Sequence, residues 1–140
     1  MKNLTERISN LRNAQRSGRK QIVFSLPFGA ASNSFRRSFF RLLVREGYID
    51  SFSCAQISQQ VGSTTFVYTL SLKYGPQGEP TIRDIRSVST GGRRVYLPVA
   101  ALWQPQFLNG TLILSTPQGL LTDREARYYG VGGEVIRAIR

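Results

Sequence analysis

Acid–base or nucleophilic catalysis needs titratable side chains held in pairs, and this chain offers few. It contains no histidine and one cysteine, Cys54. Ser/His/Asp and Cys/His arrangements are therefore excluded. No disulfide can form within the chain, and no zinc site has enough ligands. The nearest paired carboxylates are Asp123 and Glu125, which fall in the run Thr122-Asp-Arg-Glu125. A capping box accounts for them. The Thr122 hydroxyl reaches the amide three residues on, Glu125 reaches back, and acidic groups suit the positive end of a helix dipole. Cys54 lies in an alternating apolar-polar stretch and reads as a buried small hydrophobe. The sequence predicts a protein that is not an enzyme and needs no cofactor or metal.

Other groups are better suited to recognition. Ser115-Thr-Pro-Gln-Gly119 is compact and polar, between an expected strand and the capped helix. Its hydroxyls, side-chain amide and backbone N–H groups can meet 2′-OH groups, phosphates and base edges; an ordinary loop would look the same. Gly92-Arg-Arg-Val-Tyr96 sets two guanidinium groups near an aromatic ring, with Arg94 and Tyr96 on one face and Arg93 and Val95 on the other. Gly130-Val-Gly-Gly133 lacks the Gly-Lys-Ser/Thr of a phosphate loop and leads out of a helix instead of into one. It reads as a helix stop and tight turn, or as backbone able to approach an RNA surface closely.

The elements that must position these groups follow from periodicity. Leu4, Ile8, Leu11 and Ala14 or Gln15 mark one face of a first helix over 4–16, with Arg7, Arg12 and Arg16 elsewhere on it. Gln21–Leu26 reads as a strand stopped by Pro27. Residues 28–34 read as a loop with cap candidates Ser32, Asn33 and Ser34. Phe35, Phe39, Leu42 and Leu43 then mark a second helix, with Arg36, Arg37, Arg41 and Arg45 on its remaining turns and Gly47 closing it. Strands are expected over 48–55 and 66–74, with 56–64 as a loop between them. Residues 81–88 are expected to return as a hairpin partner of 66–74 after the turn at Gly75–Gly78. Ser89–Gly92 reads as a linker. Beyond it come a strand at 93–97, a helical turn near 99–103, a strand at 111–116, a loop at 117–119, the capped helix from Thr122 to Gly130, and a last strand over 134–139. The fold class is α+β, in two small domains: residues 1–88, with two helices on a three-stranded sheet, and residues 93–140, mostly β with a short helix, joined by 89–92.

Charge names the partner class. The 140 residues carry 19 Lys and Arg against 8 Asp and Glu, a net +11. Only Lys2, Lys20 and Lys73 are lysines. Arginine pairs two phosphate oxygens and stacks on bases, whereas lysine is a point charge. A surplus this large, and this rich in arginine, implies a nucleic acid. Residues 1–49 hold a net +8 and residues 50–140 a net +3, so the first third dominates long-range attraction. No apolar run approaches the roughly 18 residues that span a bilayer.

Taken together, Ser115–Gly119, Thr122-Asp-Arg-Glu-Ala-Arg127 and Gly130-Val-Gly-Gly-Glu134 resemble the signature of the universal eighth protein of the small ribosomal subunit, bacterial type. Gly92–Tyr96, Arg12-Asn-Ala14, Glu46-Gly-Tyr-Ile49 and Leu72-Lys-Tyr-Gly75 match in place, so the resemblance covers nearly the whole chain. It implies a structural protein of the small subunit. It further implies primary binding to the central domain of the rRNA, contact with neighbouring ribosomal proteins, and a role in platform assembly and translation. The RNA-reading loop of that family corresponds to Ser115, Thr116 and Gly119, and its second block to Gly132, Gly133 and Glu134. Arg93, Arg94 and Tyr96 lie on the matching arm, and Arg12 and Asn13 in the first helix. Pro117 stands where the family usually has a third hydroxyl residue, and an N-terminal run with an Asp-Pro is absent. With the Phe-rich second helix and the stretch at 56–64, these departures point to a mitochondrial ribosome over a bacterial one, with no separate presequence before the first helix. Two rival expectations stand beside this one: a free-standing RNA chaperone or regulator, and a peripheral membrane protein using the Phe/Arg helix.

Overall fold

The computed structural model describes residues 10–27, 30–60, 63–89, 91–104 and 110–140. Leu4, Arg7, Ile8 and Phe28, used above, lie outside these. Two units emerge, Met1–Thr81 and Ile82–Arg140.

In the first unit, helix α1 covers 10–16 and buries Leu11, Ala14 and Gln15. The Gln15 amide has an inward role. It donates to the Lys73 carbonyl and the Thr81 hydroxyl, each at 3.1 Å. Strand β1 (Gln21–Pro27) precedes helix α2 (Ala30–Arg45), followed by β2 (Ile49–Gln60) and β3 (Ser63–Leu72). The three strands form an antiparallel sheet in the order β1-β3-β2. Helix α2 starts earlier than expected, so Ser32, Asn33 and Ser34 lie inside it instead of capping it. Gly47, at φ 80, ends it in the left-handed region open to glycine.

Register decides the sheet's two faces. Phe24, Tyr68 and Cys54 are direct partners across the three strands, as are Ile22, Leu70 and Phe52. These rows face the core, while Val23, Thr69 and Ser53 face the other way. Phe39, Leu42, Leu43 and Phe40 of α2 cover the core rows. The Phe40 ring lies 5.4 Å from Tyr68 and 5.8 Å from Phe52. Strict alternation and the loop expected over 56–64 both give way here. Ile49 and Phe52 both turn inward because Asp50 is an extra residue between the pairs Ile49–Leu72 and Ser51–Ser71, a bulge that resets the alternation. The stretch 56–64 is largely strand, since β2 continues to Gln60 and β3 begins at Ser63. Ser/Thr/Gln composition hid strands whose pairing supplies the stability.

Cys54 is half-buried instead of fully buried, beside the phenol of Tyr68. Burial, reinforced by the charge and hydrogen bond of Cys54, pushes that phenol up to about 12, while Arg36 opposes the shift. Tyr68 is thus a neutral core group.

In the second unit, β4 (Ile85–Ser87), β5 (Tyr96–Leu97), β6 (Thr111–Thr116), β7 (Gly119–Thr122) and β8 (Gly133–Ile139) make one antiparallel sheet. A 3-10 helix (Val99–Trp103) and helix α3 (Asp123–Tyr129) complete it. The expected hairpin of 81–88 with 66–74 does not form. Ile85, Arg86 and Ser87 pair with Ile139, Ala138 and Arg137 instead, and only a Tyr74–Pro80 bridge follows the turn. A three-residue strand carries too little pattern to name its partner, and the partner lies some fifty residues away in sequence.

The core of this unit centres on Leu102, Leu114, Ala126 and Val135. Leu114 pairs with Val135 and Ile113 with Arg137, leaving Ile136 as the extra residue. That bulge buries Val135, Ile136 and Arg137 in succession. Burial pulls the Arg137 pKa below the usual arginine value, and its guanidinium donates to the Ser87 hydroxyl.

Candidate nucleic-acid interface

The Thr122 capping box forms as its residue types require. Glu125 N–H donates to Thr122 Oγ1 and Thr122 N–H to Glu125 Oε1, each at 3.2 Å. Gly130, at φ 70, closes α3. Thr122→Ala is expected to cost about 0.5–2 kcal/mol, read as a lower midpoint in urea unfolding with the slope unchanged.

The cap fixes where α3 begins and so anchors β7 and the hairpin before it. The loop expected at 117–119 is the turn of a tight β6–β7 hairpin, with Thr116 directly opposite Gly119. Pro117 sets one turn angle, and Gly119, at φ 102, takes the left-handed one. The Thr116 hydroxyl is committed to this turn. It donates to the Gly119 carbonyl at 2.8 Å and accepts from Gln118 N–H at 3.2 Å. The Ser115 side chain and the tip residues Pro117, Gln118 and Gly119 are exposed.

Beside the hairpin, the register sets Tyr96, Glu134 and Ser115 in one row across β5, β8 and β6, so their side chains share a face. Tyr96 is 65% exposed. Arg94 donates to Glu134 Oε1 at 3.1 Å, its side chain 61% exposed and that of Glu134 18%. Arg93 is exposed alongside. The expected strand over 93–97 is short, only Tyr96 and Leu97. The Arg93–Val95 arm is held instead by Ser89, whose hydroxyl donates to the Val135 carbonyl at 2.5 Å and accepts from Val95 N–H at 3.0 Å. Ser89 is thus a fastened point in the stretch read as a linker.

Gly132 and Gly133 have structural duties. A Cβ on Gly133 would run into the Ser115 carbonyl oxygen and lie 3.0 Å from Thr116 Cγ2. A Cβ on Gly132 would lie 2.9 Å from Pro98 Cα and 3.0 Å from Val99 N. Backbone cannot yield as a flexible side chain can, so both positions exclude a side chain. Their close approach is to the protein's own strands, and it sets the position of the Ser115–Thr116 backbone.

Nine of the eleven residues singled out from sequence thus gather in the second unit: Ser115, Thr116, Gly119, Gly132, Gly133, Glu134, Arg93, Arg94 and Tyr96. Arg12 and Asn13 belong to the first. There Arg12 is half-buried, while Asn13 is exposed and helps line a cleft of about 320 Å³ with Asn10, Ser17 and Arg19. Two arginines are internal: Arg36, expected off the apolar stripe of α2, and Arg137 in β8. Arg36 is 8% exposed and Arg137 3%. The spacing Arg36–Phe39–Phe40–Leu43 is itself a helical stripe, a signal that could have placed Arg36 on the buried face. Gln118, whose amide counted among the recognition groups in the sequence, is exposed at the hairpin tip, while sequence reasoning passed over the exposed aromatics Trp103, Tyr128 and Tyr129. The last two sit off the Ala126 face that α3 buries. Among the described residues no cluster of three or more metal-ligating side chains occurs, and no helix is long and apolar enough to cross a membrane.

A family model described as "Ribosomal protein S8" matches residues 2–139. The chain is 40% identical over 134 residues to the protein called small ribosomal subunit protein uS8 of Orientia tsutsugamushi, covering 95% of this chain and 92% of that one. It is 37% identical over 133 residues to the protein of the same name from Paramagnetospirillum magneticum, covering 95% and 92%. It is 35% identical over 140 residues to that of Thermus aquaticus, covering 95% and 94%. Fold, charge and these matches define the class as structural ribosomal proteins, not enzymes. The chain belongs to the ribosomal protein S8 family.

Proposed function

We propose that this chain, a structural component of the small ribosomal subunit, binds the central domain of small-subunit rRNA through the corner formed by Ser115–Gly119, Tyr96 and Glu134, and supports platform assembly and translation. The observation that carries this reading is the row Tyr96–Glu134–Ser115 beside a rigid polar hairpin. It offers a ring for stacking, a carboxylate that can accept from a 2′-OH or a base amino group, and an exposed serine hydroxyl on one face. Arg93 and Arg94 supply phosphate contact. Thr116 acts by holding the hairpin's shape, and Gly132 and Gly133 by holding it against β8 and the strand end at Leu97. Arg12 and the α2 arginines outside its buried stripe, Arg37, Arg41 and Arg45, add sequence-independent attraction, and the exposed Asn13 amide can hydrogen-bond to a phosphate or sugar. Neighbouring small-subunit proteins are the other partners.

The membrane rival loses its basis, because the Phe39 and Phe40 rings of α2 are in the core. A free-standing chaperone or regulator is distinguished by co-sedimentation with small subunits at moderate salt. The mitochondrial setting rests on Pro117 and the Phe-rich α2; the relatives named above are bacterial and add nothing to it.

The test is filter binding to a central-domain rRNA fragment and to an unrelated duplex. The wild-type log–log salt slope should exceed about 3 in magnitude, at roughly 0.7–0.9 per neutralised phosphate. Thr116→Val should weaken the cognate complex and leave the unrelated duplex nearly unchanged. Equal loss for both RNAs, or for neither, would remove specificity from this corner.

A further inference from the structure

Helix α3 carries two exposed aromatic rings that the corner does not use. Tyr128 is 84% exposed and Tyr129 53%. Their ring centroids lie 5.2 Å apart with planes at 83°. This edge-to-face packing covers at most one face of one ring, so each keeps a face open for stacking. Trp103, also exposed, stands on the neighbouring 3-10 helix with the Arg127 guanidinium 5.3 Å from its ring centroid. Arg124 is exposed one helical turn before Tyr128, which sets cation and ring on the same side of α3. The helix's own carboxylates are spent elsewhere. Asp123 is buried against Arg127 at 3.2 Å, and Glu125 closes the Thr122 cap. Among the described residues no carboxylate pairs with Arg124.

We infer that Arg124, Tyr128 and Tyr129 form a stacking platform for an unpaired RNA segment, distinct from the Tyr96–Glu134–Ser115 row. The inference rests on the reading that the chain binds RNA. Charge decides between a base and a protein side chain as occupant. Residues 82–140 hold eight basic and four acidic groups, and Arg124 has no carboxylate partner among the described residues. A nucleotide satisfies both parts at once, with phosphate for Arg124 and a π-face for a tyrosine ring. Base–aromatic stacking tolerates any sequence, so the platform would hold a single-stranded segment whatever its bases.

The test uses the full chain with two probes at one salt concentration, a short oligoadenylate and an unrelated RNA duplex. Joint Tyr128→Ala and Tyr129→Ala substitution should weaken oligoadenylate binding roughly tenfold or more while duplex binding stays near wild type. The rings are exposed, so the thermal midpoint should hold. Joint Tyr128→Phe and Tyr129→Phe substitution keeps the rings and should keep the affinity. Trp103, the chain's one tryptophan, gives an independent readout, its emission changing as oligoadenylate is added to wild type. Unchanged oligoadenylate affinity in the alanine pair, or a loss in the phenylalanine pair as large as in the alanine pair, would overturn the platform. Release of a neighbouring protein from small subunits with RNA affinity intact would overturn it too and assign the patch to that protein. The central-domain fragment separates the two readings. Intact cognate binding beside unchanged oligoadenylate affinity sinks the platform alone, whereas a wild-type chain that binds no RNA sinks the function proposed above with it.

Discussion

Phe39→Ala should destabilise the first unit by about 3–5 kcal/mol. The ring is fully buried, stacked 6.5 Å from Phe35 and set edge-on 5.9 Å from Phe40. Phe40 in turn touches Phe24, Phe52 and Tyr68. Truncation removes apolar area and leaves a cavity between α2 and the sheet, where neighbouring rings are too rigid to collapse into it. For a unit this size the melting midpoint followed by circular dichroism should fall by roughly 10 °C or more. A drop under about 1 kcal/mol would mean that the aromatic cluster repacks around alanine.

Asp123→Ala should cost the second unit a comparable amount, about 3–5 kcal/mol, for an electrostatic reason. Asp123 is 1% exposed. It accepts from Arg127 at 3.2 Å and from Leu112 N–H at 3.3 Å. Arg127, its side chain 12% exposed, also donates to the Leu102 carbonyl at 3.1 Å. Removing the carboxylate leaves a largely buried guanidinium without its counter-charge and a backbone donor without its acceptor. Asp123→Asn keeps an acceptor oxygen and loses only the charge, so it should fall between wild type and alanine. Equilibrium urea unfolding ranks the three, and an alanine variant as stable as wild type would show that this ion pair contributes nothing. The carboxylate that looked closest to a catalytic group is therefore a buried tie between α3, β6 and the 3-10 helix.

Local rules made much of this protein legible. The Thr122–Glu125 cap, the stops at Gly47 and Gly130, the apolar stripe of α2 and the strands over 111–116 and 134–139 depend on neighbours a few residues apart, and sequence states them directly. Net charge, the absence of histidine and the run Ser115–Glu134 likewise sufficed for a basic, non-enzymatic α+β protein and for its family resemblance. Tertiary structure alone decided what depends on distant partners. The pairing of Ile85–Ser87 with β8 closes a long loop for very few hydrogen bonds, and no three-residue pattern encodes that choice. The bulges at Asp50 and Ile136 reverse the faces that alternation assigns, because one extra residue shifts every side chain after it. Burial of Arg137 depends on what covers its face, which charge counting cannot see, whereas the helical spacing of Arg36 with Phe39, Phe40 and Leu43 already pointed to its burial. The row Tyr96–Glu134–Ser115 is likewise a product of register: each residue sits on a different strand, and only the antiparallel pairing through β8 brings a ring, a carboxylate and a hydroxyl onto one surface.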